Sequence, residues 1–133
     1  MLVSSPRASR QGLQVKRSFS GLGLFTERAI ARGAFITEYS GPLLTEDEAD
    51  RKGGKYLFAV LDTPWTIDGS GRDNLARYIN HSCKPNCETF ADGNRILIHA
   101  KRRIEAGEEL HYDYGKEYVE ELFGPGGCRC GHH

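Results

Sequence analysis

Arg77-Tyr78-Ile79-Asn80-His81-Ser82-Cys83-Lys84-Pro85-Asn86-Cys87 packs two asparagines, a histidine and two cysteines around one proline. This density of chemically capable side chains is uncommon in a plain loop. Asn80 offers donors and an acceptor from one carboxamide, and His81 adds ring nitrogens and backbone groups. Read alone, the run also fits a polar turn built on a buried, satisfied Asn-His pair; the clustering is what favours a site. Just upstream, residues 74–79 are expected to hold one or two helical turns. Just downstream, 87–91 and 95–100 read as two strands of a hairpin joined through Asp92-Gly93-Asn94.

Further out, the apolar runs are brief and punctuated by glycine. Residues 13–18 read as a strand and Ser20-Gly21-Leu22-Gly23 as a turn. A second strand is predicted over 34–39, between Gly33 and Gly41-Pro42. Thr45 followed by Glu48 is a capping-box pattern, so 45–52 is predicted to be a short helix. Strands are expected over 55–61, 65–68 and 110–112, with an acidic turn around Gly107. Residues 116–123 suit an amphipathic helix facing Tyr118, Val119 and Leu122 inward, and 124–133 form a Gly- and Cys-rich tail. The expected organisation is a flexible tail over 1–14, a mostly β core over 15–115, and a C-terminal helix with its cysteine tail over 116–133.

Composition bounds the function classes. With 133 residues, the chain has room for one domain with a real hydrophobic core. Its 38% apolar and 27% charged residues argue for a globular protein and against disorder. The formal net charge of zero removes strong non-specific attraction to nucleic acid, so no direct nucleic-acid binding is expected. Lys16-Arg17 and Lys101-Arg102-Arg103 are local basic runs, read as solvated faces. No apolar run approaches membrane-spanning length, and 1–14 lacks the apolar region of a secretory signal. The expectation is an intracellular protein, cytoplasmic or nuclear, whose four cysteines are thiols or metal ligands.

Three further motifs carry potential chemistry. Gly21-Leu22-Gly23 allows a backbone to approach a ligand closely. It is no dinucleotide fingerprint, because Thr26 stands where the third glycine should be and no helix follows. By itself it reads as an ordinary hairpin turn. In Glu109-Leu110-His111-Tyr112-Asp113-Tyr114-Gly115, an extended backbone puts Tyr112 and Tyr114 on one face. That arrangement gives an apolar wall with polar tips, or simply two core tyrosines. Cys128-Arg129-Cys130 can contribute two metal ligands, and a tetrahedral site needs partners from elsewhere.

Together these segments resemble the SET-domain protein-lysine methyltransferases. The resemblance rests on five ordered motifs: the G-x-G within 20–25, Glu38-Tyr39-Ser40-Gly41, Tyr56-Leu57-Phe58, the N-H-S-C-x-P-N run at 77–87 with Tyr78 in place of phenylalanine, and G-E-E-L-x-x-D-Y-G at 107–115. It implies a mostly β fold of several small sheets with short helices, of the β-clip kind, in which the N-H-S and D-Y-G segments cross in a C-terminal pseudoknot. It implies S-adenosylmethionine as cofactor, with Gly21, Leu22, Gly23, Leu24, Tyr56, Arg77, Asn80, His81 and Tyr114 around it. It implies a protein or peptide substrate carrying a target lysine, a histone tail being the family's best-known case. Tyr39, Tyr112 and Tyr114 would line the lysine channel, with Tyr114 as the catalytic tyrosine. Tyr at position 112 resembles the monomethylating members, so mainly monomethylation is expected.

The resemblance also implies one structural zinc. In relatives the cysteine of N-H-S-C joins three tail cysteines around the metal. Cys83, Cys128 and Cys130 match here, and His132 or His133 stands where a further ligand could come from; Cys87 is read as a packed thiol. Two other readings stand beside the enzyme. A non-catalytic module of the same fold, binding a peptide or partner protein, is favoured by the partial tail and disfavoured by Asn80, His81, Tyr112 and Tyr114. A zinc-stabilised structural domain leaves the G-x-G and tyrosine motifs without a purpose.

Overall fold

A computed structural model describes residues 12–18 and 21–115. Ten short strands, one α-helix and one 3-10 turn make up the described chain. The first hairpin pairs β1 (Leu13–Ser18) with β2 (Gly21–Thr26) in antiparallel register, from Leu13 opposite Thr26 to Ser18 opposite Gly21. The glycines at 21 and 23 are thus strand residues, a correction to the turn expected over 20–23. Gly21 keeps a positive φ of 114°, which glycine adopts without strain.

A three-stranded antiparallel sheet places β9 (Arg95–Ala100) between β3 (Phe35–Tyr39) and β8 (Cys87–Asp92). Asp92 pairs with Arg95, so Gly93 and Asn94 alone make the turn, with Gly93 at φ 62°. A second three-stranded sheet centres on β6 (Thr66–Asp68), flanked by β4 (Leu43–Leu44) and β5 (Leu57–Ala59). The strands expected at 55–61 and 65–68 are present but shorter. Helix α1 (Glu46–Lys52) starts where the capping box places it. Thr45 Oγ1 accepts from the Glu48 backbone N–H, and the Glu48 carboxylate accepts from the Thr45 N–H.

The remaining pair decides the architecture. β7 (Asn80–His81) and β10 (His111–Tyr112) run parallel, Asn80 beside His111 and His81 beside Tyr112. Two segments 31 residues apart are thereby laid together, the contact on which the expected pseudoknot is built. The fold is mostly β in several small sheets, as the resemblance implied. One core serves them all: Leu24, Ile98, Ile104 and Leu110 are completely buried, with Ile79, Ala76, Val60 and Ile67 beside them. Each strand is too short to stand alone, so burial against this shared core supplies its stability. Among the described residues, no helix is long and apolar enough to cross a membrane. The helix expected at 116–123 and the tail cysteines lie outside the described residues.

Candidate functional site

The β7–β10 junction is locked by side chains as well as strand hydrogen bonds. Asn86, 3% exposed, donates from Nδ2 to the Glu109 carbonyl (2.9 Å) and accepts the His111 backbone N–H at Oδ1 (2.8 Å). Its carboxamide thus copies a neighbouring strand's peptide group and satisfies a strand two residues long. The Tyr114 hydroxyl donates to the Ile79 carbonyl at 2.5 Å, and the Tyr114 backbone N–H donates to His81 Nδ1 at 3.0 Å. Because Nδ1 accepts, the ring proton resides on Nε2, which faces Cys83 Sγ at 3.4 Å. Asp113 Oδ1 lies 3.7 Å from the same Nδ1.

From this junction a row of rings extends across the sheets. Tyr39 packs on Phe58 (centroids 5.1 Å apart), Phe58 on Tyr112 (6.5 Å), Tyr112 on Tyr114 (5.1 Å) and Tyr114 on His81 (5.2 Å). The three tyrosines singled out in the sequence therefore meet, with Phe58 as the link that the sequence reading left without a role. The Tyr39 hydroxyl donates to the Tyr56 carbonyl at 2.9 Å. Gly69 makes the packing of Tyr39 possible: a Cβ there would stand 2.4 Å from the tyrosine ring. Behind it, buried Asn74 donates to the Gly69 carbonyl (3.0 Å) and accepts the Ser40 N–H (3.1 Å). Nothing in the sequence distinguished Asn74 from other loop asparagines, because its partners are 5 and 34 residues away.

The residues proposed around a cofactor fall into two groups. In one, Asn80 Nδ2 donates to the Leu22 carbonyl (3.0 Å), joining β2 to β7. Leu22 is 54% exposed, and among the described residues no atom stands within 4 Å of where a Gly21 side chain would begin. Leu24 differs: its side chain is fully buried, and its carbonyl accepts the Leu110 N–H at 2.8 Å. In the other group, the Arg77 guanidinium lies over the rings of Tyr56 (4.4 Å) and Tyr78 (5.1 Å). Its Nη1 donates to the Ser70 carbonyl, while its buried Nε has no partner among the described residues. The Tyr56 carbonyl that receives Tyr39 connects this stack to the row of rings.

The cysteines separate by environment. Cys83 is exposed beside His81, whereas Cys87 is buried, and burial pushes its thiol up to about 12 despite the His111 backbone N–H and the Arg102 charge. Cys128 and Cys130 lie outside the described residues. Among the described residues, no three His, Cys, Asp or Glu side chains converge to hold a metal. An open groove of about 330 Å³ beside Gly12, Arg28 and Phe35 contains none of the site residues. Its size does not make it the functional centre, because it lacks convergent polar groups of the kind gathered at Asn80. Compared with known protein families, residues 21–115 match the SET domain.

Proposed function

The chain belongs to the SET-domain family, and on that premise we propose that it transfers a methyl group from S-adenosylmethionine to the side-chain amine of a lysine in a protein or peptide. SET domains are generally those of protein-lysine methyltransferases. The observation that carries the reading is the row Tyr39–Phe58–Tyr112–Tyr114 abutting His81, whose neighbour Asn80 is bonded to the carbonyl of exposed Leu22.

The residues present fit such a cofactor. Among the described residues, no atom stands within 4 Å of where a Gly21 side chain would begin and the Arg77 Nε is a buried donor without a partner; aromatic faces suit a cation. In this proposal Gly21, Leu22, Gly23, Leu24, Tyr56, Arg77, Asn80, His81 and Tyr114 hold it. When bound, it supplies an already electrophilic methyl, so no covalent enzyme intermediate is needed.

What the chain itself does is orient, desolvate and accept. Alignment of amine and methyl is largely an entropy problem, and a rigid aromatic channel addresses it. Lysine must be neutral to attack, against an ordinary pKa of about 10.4. A channel walled by Tyr39, Tyr112 and Tyr114 strips water from the ammonium and lowers that value. Donation to the Ile79 carbonyl orients the Tyr114 hydroxyl, whose oxygen in this proposal accepts from polarised C–H groups. His81 serves packing and binding, not general-base work, because its Nδ1 is committed to Tyr114.

Calorimetric titration with S-adenosylmethionine, alongside Asn80→Ala, tests the reading, followed by mass spectrometry of lysine peptides. Saturable binding that the variant weakens measurably without abolishing, and +14 Da products, are expected. A folded wild-type chain that binds none of it would replace the enzyme with a non-catalytic module.

A further inference from the structure

Glu109 lies at the meeting point of three strands, and its carboxylate is aimed at one of the proposed cofactor residues. Its Oε2 accepts Asn80 Nδ2 at 2.8 Å, the shortest of three contacts made by that amide; the others are the Leu22 carbonyl at 3.0 Å and Ser18 Oγ at 3.3 Å. Its side chain is only 15% exposed, and His111 Nε2 lies 3.5 Å from the same oxygen. Its backbone is held as well, bridged to Phe25 and accepting Asn86 Nδ2 at its carbonyl. A Cβ on Gly23 would stand 2.3 Å from Oε2. The second glycine of the G-x-G therefore makes room for this carboxylate.

Resting on the methyltransferase reading, we propose that Glu109 is a positioning residue that fixes which way the Asn80 carboxamide faces. An amide NH2 has two hydrogens, and Glu109 and Leu22 take both. Oδ1 is then the end that remains for a ligand, and Asn80 presents itself as an acceptor. The bond to a carboxylate is charge-assisted and partly shielded from water, so it holds this orientation against the flipped one. Without Glu109 the carboxamide can rotate, and the contact to the cofactor is made only part of the time.

The test uses the whole chain and two readouts. In the cofactor-free protein, NMR of the Asn80 side-chain amide is expected to show downfield, exchange-slowed protons that revert to exposed-asparagine values in Glu109→Leu. Calorimetry with S-adenosylmethionine is expected to show Glu109→Leu weakening binding by about tenfold or more, with Glu109→Gln, which keeps a carbonyl acceptor, losing less. Gly23→Ala, which displaces the flexible carboxylate tip, is expected to resemble Glu109→Leu. In an Asn80→Ala background Glu109→Leu should have no further effect, because its action runs through Asn80. Additive losses in the double variant, or an Asn80 amide indifferent to Glu109→Leu, would overturn the proposal. Should the wild type bind no S-adenosylmethionine while the Asn80 amide still responds to Glu109, the positioning contact stands and the methyltransferase reading falls.

Discussion

At the scale of single residues, the tyrosines divide their work by what each hydroxyl meets. Tyr39 and Tyr114 donate to the backbone carbonyls of Tyr56 and Ile79, which fixes their rings. Tyr112 is 6% exposed between Phe58 and Tyr114. Each atom beyond a phenyl ring narrows the space open to a methylated amine. Tyr112→Phe is therefore expected to shift mass-spectrometric products from mainly monomethyl-lysine toward di- and trimethyl-lysine. Abundant trimethyl product from the wild type would defeat the idea. Removing the other hydroxyl has a second cost. Tyr114→Phe leaves the Ile79 carbonyl without this donor and is expected to lose about 1–3 kcal/mol of stability, besides a fall in turnover of about a hundredfold. Thermal unfolding and initial rates measure the two losses separately.

At the scale of elements, two kinds of support differ in reach. The α1 capping box is local and exposed, with donor and acceptor three residues apart. Thr45→Ala is expected to cost about 1 kcal/mol and to leave cofactor binding unchanged. Asn86 is non-local, tying the segment after β7 to β10 across 23 and 25 residues. Asn86→Ala removes the bonds to the Glu109 carbonyl and the His111 N–H together. It is expected to cost roughly 3 kcal/mol or more and to weaken cofactor binding as well. Denaturant melts paired with calorimetry distinguish these outcomes; equal effects of the two variants would contradict this account of the junction.

At the scale of the whole molecule, charge sets the acid limit of stability. The Arg102 guanidinium, 2.9 Å away, and the Glu105 backbone N–H hold the Glu108 carboxyl below its ordinary value. Burial pushes the Asp68 carboxyl up, but hydrogen bonds from Ser70 and the Lys52 ammonium at 3.4 Å outweigh it and leave it lowered. A carboxylate lowered in the fold stabilises above its unfolded value, about 4 for these types, and that stability disappears as pH falls through the folded value. Unfolding free energy is expected to fall with acid below about pH 4, and Glu108→Gln to flatten that fall. The zinc that the family resemblance implies belongs to this scale too. If Cys83, Cys128 and Cys130 hold it, metal analysis finds about one zinc per chain, and chelation lowers activity before it unfolds the core. Active protein without zinc would refute that site.

Where partners are near in sequence, the residues alone determined the outcome. The capping box, the turn at Gly93, the 3-10 turn (Leu75–Tyr78) and the strands of the β8–β9 hairpin follow from local geometry and short-range hydrogen bonds. The motif order identified the family because it records chemistry that does not depend on knowing the contacts. Tertiary structure alone decided the rest. β4 and β7 are two residues long, too short for any periodicity, and exist only because a distant segment pairs with them, while the strand expected over 110–112 finds its partner β7 only in the fold. The purpose of Gly23 was likewise hidden, since a glycine looks the same whether it admits a ligand or a carboxylate 86 residues away. Phe58, Asn74, Asn86 and Glu109 gained their roles in the same way, through long-range contacts that only a shared core can hold in place.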